Sequence, residues 1–98
     1  MKYFAVTRER GPEWNASLSM REQKLWPEHA AFMDSLANEG FVILGGPLGE
    51  GDRRFLLIFN ADSAKTIEMR LAADPWTPLR LLQIAKIEPW EILLEKTG

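Results

Sequence analysis

The chain carries one histidine, His29, and no cysteine. Cysteine nucleophiles, disulfides and thiolate metal sites are excluded together, and a lone imidazole cannot build a zinc-binding histidine cluster. One imidazole can accept or deliver a proton near neutral pH, provided a carboxylate fixes its tautomer through one ring nitrogen and raises the basicity of the other. Asp74 is the candidate carboxylate. It precedes Pro75 and Trp76, and a residue before proline is pushed out of the helical region, so Asp74 ends a helix and is held in a turn. Taken alone, it is a helix-terminating turn residue, and an inward histidine is more often a hydrogen-bonded core residue than a catalyst. The stretch Gly45-Gly46-Pro47 supplies a third component, because small residues let backbone approach a ligand.

These residues must be positioned by the elements around them. Tyr3 to Thr7 is aromatic and β-branched and reads as a first strand, ending near Arg8 to Arg10. That basic cluster is interrupted by Glu9 and reads as a solvated strand end. After an irregular loop from Gly11 to Ser17, Ser19 and Glu22 fit a capping box. From there to Glu39, Leu25, Phe32 and Leu36 recur at helical spacing, and Gly40 stops the helix. Pro27 is a misfit inside it, so the helix either kinks or restarts with Pro27 in its first turn. His29 lies four residues after Leu25 and three before Phe32, on the stripe that meets a sheet.

Phe41 to Leu44 and Phe55 to Phe59 are apolar runs that read as a hairpin, the first closed by Gly45-Gly46-Pro47, with the glycine-rich turn Gly49-Glu50-Gly51-Asp52 between them. Asp62 is the candidate cap of a second helix with buried stripe Ala64, Ile67 and Leu71, ending at Asp74-Pro75. Leu81 to Ile87 reads as a fourth strand, and Trp90 to Leu94 as its extension beyond Pro89. The order βαββαβ predicts one α+β domain over residues 1–98, of ferredoxin-like topology, with an antiparallel sheet and two helices on one face. The hairpin strands are apolar on both faces, so a homodimer packed sheet to sheet is expected, reinforced by Trp90, Ile92 and Leu94.

Composition agrees with one globular domain: 98 residues, 46% hydrophobic and 27% charged. The net charge of -2 has acids and bases interleaved, which argues against nucleic acid as a partner. No apolar stretch reaches membrane-spanning length and no leader pattern begins the chain, so no membrane association and a cytoplasmic location are expected. Trp26 and Trp76 could line an aromatic pocket, though four tryptophans in so small a domain are first of all packing material. Arg21, two turns before His29, could hold a substrate carboxylate, the alternative being an ordinary surface arginine.

His29 in a helix ending at Gly40, then Gly45-Gly46-Pro47, Ala73-Asp74-Pro75-Trp76 and Glu88-Pro89-Trp90, in this order across nearly the whole chain, resembles the YCII-related (YciI-like) family of the dimeric α+β barrel superfamily. The resemblance implies a ferredoxin-like fold, a dimer whose sheets form a barrel, and an active site using His29 and Asp74. Related proteins include a dechlorinating enzyme of chloroaromatic degradation and, in the wider superfamily, muconolactone isomerases. Proton-shuttling isomerase or lyase chemistry on a small organic acid follows, with no cofactor, and with Gly46, Pro47, Trp26, Trp76 and Arg21 as candidate substrate-binding residues. The longer loop before the first helix, Trp26 and Pro27 depart from the family pattern. The alternative is a non-catalytic module that binds a small molecule or a partner protein in the same cavity.

Overall fold

Alternation in the first strand sets the geometry of the domain. In the computed structural model, which describes residues 2–96, β1 (Tyr3–Arg10) turns Phe4, Val6 and Arg8 to one face, all buried, and leaves the residues between them half-buried on the other. β1 lies between β3 (Arg54–Asn60) and β4 (Leu82–Trp90), and β2 (Val42–Leu48) pairs outside β3. All neighbours are antiparallel, in the order β2-β3-β1-β4. Helices α1 (Trp26–Asn38) and α2 (Ala64–Ala72) cover the Phe4 face, α1 against β2 and α2 against β4. This is the ferredoxin-like α+β fold. No helix among the described residues is long and apolar enough to cross a membrane.

The core beneath the helices has two parts. One joins Phe4, Val6, Leu36, Phe59, Ile67 and Leu71. The other gathers Trp14, Phe55, Trp76, Leu81 and Leu82 where β1 ends and β3 and β4 begin.

Several boundaries differ from the sequence expectation, each for a local reason. The capping box is real, with Ser19 N–H donating to the Glu22 carboxylate at 2.9 Å, but it closes a single 3-10 turn, Met20–Glu22. Leu25 then adopts a left-handed conformation (φ 59°), and α1 restarts at Trp26 with Pro27 in its first turn, where a missing N–H costs no bond. Ser63, rather than Asp62, caps α2 by accepting the Thr66 N–H at 3.2 Å. β2 does not stop at Gly45 but runs through Pro47 to Leu48, because it is an edge strand, where proline is tolerated. The reversal falls at the glycine-rich turn expected from the sequence, with Gly49 and Gly51 both at positive φ. Trp90 ends β4 opposite Tyr3, the first residue of β1. The strand expected to continue to Leu94 therefore stops at Trp90, since nothing beyond has a strand to pair with.

Register assigns the two glycines of β2 to opposite faces. Gly45 pairs with Leu57 on the helix-covered side, whereas Gly46 pairs with Leu56 on the open side. A β-carbon at Gly45 would overlap the Leu57 side chain, whereas one at Gly46 would meet open space. Gly45→Ala is thus expected to lower stability by about 1 to 3 kcal/mol through overpacking, and Gly46→Ala to leave it nearly unchanged, as read from paired urea denaturation curves.

Candidate active site

Three separated segments meet at the end of the sheet where β1 finishes. The first turn of α1 contributes His29, 7% exposed; the turn after α2 contributes Asp74, 0% exposed; the end of β1 contributes Arg8, 2% exposed. His29 Nδ1 lies 2.9 Å from both Oδ1 and Oδ2 of Asp74. Arg8 Nη1 donates to Oδ2 at 2.9 Å, and the Trp76 backbone N–H donates to Oδ1 at 2.8 Å. The last bond makes Asp74-Pro75-Trp76 an Asx turn, so Asp74 terminates the helix segment and also receives the imidazole.

The imidazole is fixed on its flat side as well. Trp76 stacks on it with ring centroids 3.8 Å apart and planes within 5°, and Trp26 tilts against both rings. Trp76 is in turn anchored by its indole N–H, which donates to the Lys24 carbonyl at 2.6 Å. A carboxylate accepts only, so Nδ1 carries the proton of this bond. In the neutral ring Nε2 then keeps a lone pair, and no described residue bonds it.

Burial alone would raise the Asp74 carboxyl. The His29 hydrogen bond, the Trp76 N–H and the charges of His29 and Arg8 outweigh it and hold the group below the ordinary carboxylate value. A carboxyl depressed in the folded state adds stability that is complete above its unfolded value and is lost as pH falls through the folded one. Melting temperature is therefore expected to hold from neutral pH through the ordinary carboxylate range and to drop below it. Asp74→Asn should remove this acid limb, as thermal melts across the acid range would show.

Beside the cluster lies a cavity of about 290 Å³ with a predominantly apolar wall. His29, Trp76 and Trp26 form part of it, as does the β2 segment containing Gly46 and Pro47. The structure thus brings together six of the seven residues singled out from the sequence. Arg21 is the exception: it is exposed on the 3-10 turn, with its guanidinium 5.8 Å from the Trp26 ring centroid, outside the cavity wall. Gly46 contributes backbone only, since its α-hydrogens point to the open side.

Arg8 is the residue that the sequence reading placed wrongly, as part of a solvated strand end. It is buried because it falls in phase with Phe4 and Val6, a period-two signal that charge had masked. Met20 and Met33 also line the cavity and were not singled out.

No family profile matches the chain, and no curated protein matches it. Among solved structures, it is similar to 5-chloro-2-hydroxyhydroquinone dehydrochlorinase (TftG) from Burkholderia phenoliruptrix AC1100 in complex with 2,5-dihydroxybenzoquinone. The TM-score is 0.67 at 24% sequence identity, over 91% of this chain and 93% of that one. The likeness shows the fold, the ferredoxin-like α+β arrangement described above.

Proposed function

We propose that the chain is a small enzyme of the YciI-like family in which His29 Nε2 moves a proton to and from a small organic acid, in an isomerase or lyase reaction. The observation that carries this reading is His29 in the wall of a cavity of about 290 Å³, held from behind by the buried Asp74, a volume suited to one small ring. Asp74 orients the imidazole and stabilises the imidazolium that forms; Trp26, half-buried, supplies flat apolar surface for a ring, while buried Trp76 backs the imidazole; the β2 backbone at Gly46 and Pro47 closes the opposite side. The dehydrochlorinase of similar fold acts on a hydroxylated ring, and its complex holds another, which supports unsaturated cyclic compounds bearing acidic hydroxyl or carboxyl groups as the first substrates to examine.

The working unit is a homodimer. The sheet face away from the helices presents Leu56, half-buried, and Leu44, which is 68% exposed, and Trp90 is exposed at one end of it. A second copy packed on this face would cover that apolar surface. Sedimentation is expected to give twice the chain mass, and Leu44→Glu with Leu56→Glu to shift the protein to monomer without loss of helix.

The direct test is exchange of carbon-bound hydrogen in deuterated water, followed by NMR, over a panel of hydroxyquinones, hydroxybenzoates and unsaturated lactones. Exchange or turnover that depends on His29 supports the enzyme reading. Ligand binding unchanged by His29→Asn, with no exchange in any compound, would replace it with a non-catalytic binding module.

A further inference from the structure

Arg8 sits in an unfavourable place for an arginine. Its neighbours across the sheet are Phe55 on β3 and Ile84 on β4, it is almost fully buried beneath the helices, and its Nε–H has no partner among the described residues. A buried charge left with an unsatisfied donor destabilises the fold relative to a well-packed apolar side chain of similar volume. Methionine or leucine in phase with Phe4 and Val6 would serve the core better. Its presence is explained by what it touches, the Asp74 carboxylate at 2.9 Å.

Charge balance gives that contact a consequence. A buried imidazole facing a buried carboxylate alone is biased toward its imidazolium form, because the proton on the ring is then the nearest counter-charge. An imidazole already protonated on both nitrogens cannot accept a proton from a substrate. A cation that compensates the carboxylate first removes this pull. The other charged groups near the cluster do not alter the balance: Asp34 of α1 is exposed at the cavity wall, and Glu68 of α2 and Arg80 line a separate pocket on the other flank of Arg8, where their charges oppose one another.

We propose that Arg8 is a positioning residue that compensates Asp74, so that His29 rests as the neutral ring with Nδ1 protonated and Nε2 free to take a proton. This rests on His29 being the proton acceptor of the proposed reaction. It also refines the substrate class. With Arg8 spent on Asp74 and Arg21 outside the wall, the resting cavity offers no uncompensated cation among the described residues. It is suited to a neutral carbon or hydroxyl acid with an apolar body, and a net positive charge appears only when the proton reaches His29, opposite the substrate anion just formed.

The test is a long-range proton–nitrogen correlation spectrum of the single imidazole, which distinguishes the two neutral tautomers and the imidazolium, recorded through a pH titration. The wild-type protein is expected to show the Nδ1–H neutral ring at neutral pH. In Arg8→Met, and in Arg8→Gln, which keeps an N–H for Asp74 without the charge, the imidazolium should persist to a pH about one unit higher, tenfold in proton affinity. Arg8→Lys should restore wild-type behaviour in part. A wild-type ring that is doubly protonated or in the Nε2–H form at neutral pH would overturn the proposal. So would an unchanged or downward-shifted titration in both charge-removing variants, or failure of both to fold, which would make Arg8 a structural residue. The spectrum needs no substrate, so it can fail while His29-dependent exchange succeeds, and the reverse.

Discussion

Asp74→Ala is expected to be the most destabilising single substitution in the domain, costing about 3 to 5 kcal/mol. The loss does not come from the aspartate's size. Its removal strands the Arg8 guanidinium in an apolar interior and frees both the Trp76 N–H and His29 Nδ1 from their acceptor. Against a total stability of about 5 to 15 kcal/mol for a natural domain, the variant should melt far below the wild type. The double variant Arg8→Met with Asp74→Ala should recover a large part of the loss, because it removes the charge together with its partner. Urea denaturation of the four proteins of this cycle measures the coupling. Additive losses would mean that Arg8 and Asp74 do not act as a pair.

His29→Asn is expected to show the opposite pattern, a folded protein with little activity. The asparagine amide nitrogen can approach the position of Nδ1 and donate to Asp74, so the contact that joins α1 to the turn after α2 persists. What disappears is Nε2. General acid–base catalysis contributes about a hundredfold to ten-thousandfold, and a loss of that size is expected in exchange or turnover of any substrate found, while the melting temperature moves by only a few degrees. Activity within a few fold of wild type would remove His29 from the chemistry.

The order of elements was legible because each strand and helix carries its own period and its own stop. Ends were less so. Proline reads as a terminator, yet Pro47 and Pro89 both lie within strands, since whether a strand is at an edge depends on pairing that no local window contains. Asp62 and Ser63 are both good caps, and only the path of the chain into α2 selects Ser63. At the site, His29 stood out as unique in type, whereas Asp74, held by proline, read alone as a helix-terminating turn residue and was joined to His29 by the family resemblance. Arg8 was passed over on the strength of its charge, although its position in the alternation of β1 already pointed inward. Arg21 was a candidate on helical spacing from His29 with an ordinary surface arginine as the alternative, and the alternative holds because the helix does not extend back to it. Leu25 breaks the register between them.

Both outer strands of the sheet, β2 and β4, contain a proline, Pro47 in one and Pro89 in the other. An incoming strand seeking to extend the ladder would meet a ring in place of a smooth run of amides on either side. Open-ended addition of chains side by side, the geometry of fibrils, is thereby discouraged at both edges. The broad face away from the helices remains free for association, so a chain with this much exposed leucine can be sticky in one direction and still stop growing after a finite number of copies.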